Sequence, residues 1–117
     1  MSLMEFDDIR QFVSDTSQGK IMFRIMDFEN GTLVLISDSN KFRLGLSAVA
    51  IPPGHGRSEP TSTGLFSAGL DAALVRTIAE RVSAMTNQSC MVVVAMSTLN
   101  QVIVMELMTI LKNHLLT

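Results

Sequence analysis

His55 stands between Gly54 and Gly56 and is followed by Arg57, Ser58 and Glu59. A histidine in that company could serve as a general base if Ser58 or Glu59 oriented it. The two glycines with Arg57 could also cradle an anion through backbone N–H groups. Against both, five of the nine residues from Pro52 to Pro60 are proline or glycine, which forbids regular structure. The loop also lacks the spacing of a phosphate-binding loop and does not join a strand directly to a helix. His114, the other histidine, falls in the last turn of a C-terminal helix, where a cation is mildly favoured. Cys90 opens an apolar strand and reads as a buried structural thiol. Glu5, Asp7 and Asp8 have no His or Cys beside them and read as a solvated face. The expectation is therefore no catalytic residue, no cofactor-binding residue and no metal site.

The 117-residue length makes this a single domain, 1–117. Met1–Ser2–Leu3, ahead of a second methionine, Met4, read as an expression-vector remnant. The composition is 47% hydrophobic, 5% aromatic and 17% charged. So little charge leaves apolar surface over for a partner. A net charge of -2 argues against nucleic acid, which selects basic patches. A lone cysteine excludes an internal disulfide framework and fits a reducing compartment. No apolar run has the length of a membrane span, and the N-terminus has no signal-peptide pattern.

The stretch from Ile78 to Gln88, running into Met91–Met96, organises the chain. It reads as the second half of an amphipathic helix, a polar turn at Thr86–Ser89, and a Val-rich strand needing cover on both faces. Upstream, Ile9–Val13 is a weak strand or one helical turn, and Ser14–Gly19 is a loop. Ile21–Phe28 and Thr32–Ile36 are strands joined at Glu29–Asn30–Gly31, where Asn-Gly favours a type I′ turn. Turn residues follow at Ser37–Asn40. Phe42–Ile51 is a further strand, and Thr61–Phe66 a short edge strand. The helix carries Asp71 in its first turn, Leu74, Ile78, Val82 and Met85 inward, and Thr77, Glu80 and Arg81 outward. Arg81 is read as solvated; the alternative is that it fixes the turn after the helix. Thr98 or Asn100 caps a last helix running to about Leu115, with Ile103, Leu107, Ile110 and Leu111 as one stripe. The fold class is α+β: about six antiparallel strands, a meander, with two helices packed on one face.

In the two hairpin strands, Ile21, Phe23 and Ile25 alternate with Met22, Arg24 and Met26, and Val34 and Ile36 with Leu33 and Leu35, so both faces are apolar. One is expected to pack on the helices and the other on a partner's sheet, about 10 Å away. Which set meets the partner is open at this level. The candidate partner interface is therefore Met22, Phe23, Ile25, Met26, Leu33, Val34, Leu35 and Ile36.

Four segments resemble the small proteasome assembly chaperones. Phe23–Arg24–Ile25 through Leu33–Val34–Leu35–Ile36 is similar to that family's first strong hairpin, and Leu46–Ser47–Ala48–Val49–Ala50 to its Leu-Ala-Val-Ala strand. Pro60–Thr61–Ser62–Thr63–Gly64–Leu65–Phe66 resembles a Pro-x-Ser-Thr-x-Leu-Leu segment. Ile78–Ala79–Glu80–Arg81–Val82 with Thr86–Asn87–Gln88 resembles a helix ending in Thr-Asn-Lys. Order and spacing agree from about Ile9 to the C-terminus, and the likeness is strongest to the fourth type. The resemblance implies no catalysis, no cofactor and a six-stranded antiparallel sheet with two helices; the expected location is the cytoplasm, with the nucleus as a second option. The resemblance further implies a heterodimer with the third-type chaperone acting on proteasome α-subunits, notably the α5 type. For the isolated chain, a monomer and a homodimer are both open at this level. The alternatives are a roadblock- or longin-like dimerising adaptor, and an enzyme using the His55 loop.

Overall fold

The alternation of Ile21–Phe28 continues into both neighbours. In the computed structural model, which describes residues 8–54, 58–65, 69 and 71–116, β1 (Ile9–Thr16), β2 (Gly19–Phe28) and β3 (Gly31–Ser37) form an antiparallel meander. β4 (Leu46–Ile51) and β5 (Thr61–Gly64) form a second antiparallel pair. Helix α1 (Asp71–Thr86) leads into β6 (Ser89–Ala95), and α2 (Gln101–Leu115) closes the chain. The six strands lie in the order β1-β2-β3-β6-β4-β5.

The sheet is mixed rather than a single antiparallel meander. β6 slots between the two pairs, antiparallel to β4 but parallel to β3. The cause is α1. A helical crossover returns the chain in its original direction, so β5 and β6 run parallel on either side of β4. The centre goes to the strand with the longest apolar run, which has a hydrogen-bonded neighbour on each side.

Three local expectations change for identifiable reasons. First, β1 extends to Thr16, because Ser14 and Asp15 pair with Ile21 and Lys20 across the hairpin. Only Ser17 and Gln18 remain as turn. Second, the hairpin at Glu29–Asn30 is present, but not as a type I′ turn: among described non-glycine residues only Asn87 has positive φ. Gly31 is required for another reason. A Cβ there would lie 2.5 Å from the Ser89 carbonyl oxygen on β6. Third, β4 begins at Leu46, not at Phe42. Residues 42–45 are drawn around the end of β6, where Arg43 donates to the Ala95 carbonyl at 2.9 Å and to Asp38 at 2.6 Å.

One core lies between the sheet and both helices, built on Ile21, Phe23, Ile25, Val34, Ile36, Val92, Ile78, Val82, Ile103 and Leu107. Each such buried side chain contributes roughly 1.5–3 kcal/mol over its exposed state. The deep face of α1 is Val75, Ile78, Ala79, Val82 and Ser83, with Leu74 and Met85 half-buried to one side. The stripe is rotated because α1 packs on β4 and β6 and also against α2. Asn100 caps α2, accepting from the Ile103 amide at 3.0 Å.

A candidate protein-docking face

The register decides which side chains share a face. Val13 lies opposite Met22, Gln11 opposite Arg24, and Ile9 opposite Met26. Met26 faces Leu33, Arg24 faces Leu35, Leu33 and Leu35 lie beside Met91 and Val93, and Val49 lies beside Met91. Opposed residues project to the same side. These residues therefore form one face, and the opposite face is the one both helices cover. Among the described residues no helix or strand packs over the first face. It is apolar from β1 to β4, with Val13 55% and Met91 37% exposed. Four strand spacings by about six residues of strand make a patch on the order of 19 by 20 Å. That footprint is comparable to the largest apolar patch of a typical monomer, a few hundred Å² and often functional.

The structure divides the eight sequence-derived interface residues. Met22, Met26, Leu33 and Leu35 lie on the open face and are half-buried. Phe23, Ile25, Val34 and Ile36 are at most 1% exposed, and they fill this chain's own core. Those four are withdrawn as interface residues, because the helix layer already occupies their side of the sheet. Sequence reasoning did not assign Val13, Val49 or Met91 to the face. Val13 sits in a strand that looked too short, and Met91 became placeable only once β6 had a register.

A polar pair, Arg24 with Gln11, interrupts the patch. Arg24 donates through Nε to Gln11 at 2.9 Å, and its guanidinium lies 4.9 Å from the centre of the Phe42 ring. The loop after β3 thus reaches over the rim of the open face. Asp38 anchors that loop. Its carboxylate accepts from the Ser97 amide at 2.6 Å and hydroxyl at 2.9 Å and from Arg43. Partial burial pushes this carboxyl up, but the two Ser97 donors and Arg43 outweigh it and hold it below the ordinary value.

The remaining candidates for chemistry are dispersed. His55, Arg57, Glu5 and Asp7 lie outside the described residues, and Asp8 is exposed. Cys90 is buried, its thiol donating to the Ala79 carbonyl at 3.0 Å. Burial raises its pKa to about 11, which keeps it protonated. His114 stacks on Phe12 with centroids 3.6 Å apart, and Phe12 stacks on Phe23 at 4.9 Å. The helix C-terminus also gives its His114 carbonyl to Arg10 at 2.7 Å. His114 therefore pins α2 to β1. Glu106, earlier in α2, ties that helix to the β1–β2 turn, accepting from the Ser17 hydroxyl and amide, which hold its carboxyl below the ordinary value. Among the described residues no cluster of three His, Cys, Asp or Glu is placed to hold a metal.

No family model matches the chain, and no curated protein matches its sequence. A solved structure does match the fold. It is a novel chaperone complex for yeast 20S proteasome assembly. One of its chains superposes with a TM-score of 0.64 at 18% sequence identity, covering 92% of this chain and 93% of its own length. That likeness shows a shared overall architecture over nearly the whole of both chains. At this identity it speaks to fold alone.

Proposed function

We propose that this chain is a non-catalytic chaperone of 20S proteasome assembly, a counterpart of the fourth-type assembly chaperones. It works as a heterodimer with a related small chaperone of the third type, with α-subunits, notably the α5 type, as clients in the cytoplasm. The observation that carries the reading is the open apolar face of a sheet whose architecture matches a proteasome-assembly chaperone over nearly its whole length. Sheet-on-sheet packing is the usual cover for such a face. The resemblance of the four sequence segments supports the same reading.

Tagged chain purified from native lysate, alongside a Met91→Glu variant, tests it. The expected result is co-purification of a related small chaperone and proteasome α-subunits, with the chaperone lost from Met91→Glu. Recovery of a GTPase-regulating complex instead would favour the roadblock- or longin-like adaptor. His55→Ala should leave function intact in an assembly or complementation assay. A severe defect with folding unaffected would restore the enzyme reading.

A further inference from the structure

On the helix side, away from the open sheet face, α1 and α2 leave a groove of about 550 Å³ between them. Its walls are Leu74, Met85, Val104, Met105 and Met108, with Arg81 and Lys112 at the rim. Thr77 and Thr109 also line it, but each hydroxyl is engaged by its own helix, donating to Ala73 and Met105 carbonyls at 3.0 Å. Met105 is 71% exposed, and Val102 beside it 66%. No carboxylate lines the groove among the described residues. Of the nearest acids, Glu80 bonds Ser62 and Glu106 bonds Ser17. Arg81 and Lys112 have no ion-pair partner among the described residues. In a chain of net charge -2, this is a local reversal of sign over an apolar floor.

We infer that the α1–α2 groove binds a short amphipathic segment of another protein, carrying apolar anchors and at least one Asp or Glu. Three methionines give a floor that adapts to the shape of its occupant. A helix or strand laid in such a groove reads its partner through apolar anchors, and charges at the rim select and orient it. An uncharged segment would leave two cations facing apolar surface; an acidic one pairs with both. The inference needs no particular partner on the open sheet face, and it leaves that face free.

The test is selection of a displayed library of random 16-residue peptides on the full chain, with NMR of the methionine methyls to place the winners. Enriched peptides should carry carboxylates among helically spaced apolar residues. They should shift Met85, Met105 and Met108 and not Met22, Met26 or Met91. The double variant Arg81→Gln/Lys112→Gln, changed only at exposed positions, should stay folded with at most a small loss in melting temperature and bind those peptides roughly tenfold or more weakly. Enrichment of peptides without carboxylates, shifts confined to the open face, or no enrichment at all overturns the proposal. So does a chain whose self-association is abolished by Met105→Glu, which would make the groove a contact between copies. Methionine shifts with anionic phospholipid vesicles but no peptide would assign the groove to a membrane surface and overturn it equally.

Discussion

In β2 and β3 the apolar residues turned to the helices are Ile21, Phe23, Ile25, Val34 and Ile36, and those turned away, around Arg24, are Met22, Met26, Leu33 and Leu35. Both sets are apolar, but they differ in shape. The covered set is β-branched or aromatic, with few rotamers, and suits a core that packs one way. In these two strands the open set is unbranched at Cβ and half methionine; Met91 on β6 continues it, with β-branched Val13 and Val49 towards its two sides. Such side chains re-pack around whatever meets them. The difference shows why two apolar faces of one sheet are not equivalent: one is completed within the chain, the other is suited to completion by a second molecule.

The largest effect should come from the covered face. Phe23→Ala removes a fully buried ring and its stacking on Phe12, and should cost about 3–5 kcal/mol in urea denaturation. A loss below about 1 kcal/mol would mean the two faces are energetically alike.

The covering layer can be compared in the same way. Ile78→Ala and Val82→Ala, both at buried positions of α1, should each cost about 1–4 kcal/mol. Arg81→Ala should cost less than about 1 kcal/mol, since Arg81 is exposed. The turn after α1 is held by other groups: Ser83 donates to the Gln88 carbonyl at 2.8 Å and Thr86 to the Val82 carbonyl at 2.9 Å. Asn87, at φ 53°, takes the left-handed position that ends the helix. An Arg81→Ala loss equal to that of Ile78→Ala would make Arg81 an anchor of the turn.

On the open face, Met91→Glu should leave the stability of the isolated chain within about 1 kcal/mol while removing the sheet-face partner. Unfolding of the isolated variant would show that the face is already internal.

The smallest effect sharpens the boundary between the faces, where the Asp38 loop carries Phe42 over the rim. Asp38 has a folded-state pKa below its ordinary value of 3.8. Its contribution is therefore present above that value and is lost as pH falls through the folded pKa. Asp38→Asn should lower stability at neutral pH by about 1 kcal/mol and flatten the acid limb of the stability–pH profile. An unchanged acid limb would remove Asp38 from the account.

Strand and helix identities were largely readable from local patterning. The alternation in β2 and β3, the Val run of β6, the period of α1 and a cap at Thr98 or Asn100 each report a period or a capping chemistry that neighbouring residues set among themselves. The exact phase of the α1 stripe and the choice of Asn100 came from packing. Two apolar faces on the hairpin were legible as well, and with them the prospect of a partner. The tertiary structure decided which face is which. Register and pairing are long-range: Gly31 shows its purpose only when Ser89 lies alongside, and β6 becomes parallel to β3 only because α1 carries the chain across. The open face and the α1–α2 groove are likewise properties of what, among the described residues, does not pack on them. A sequence states that a side chain is apolar; whether it is covered depends on where the other elements run out.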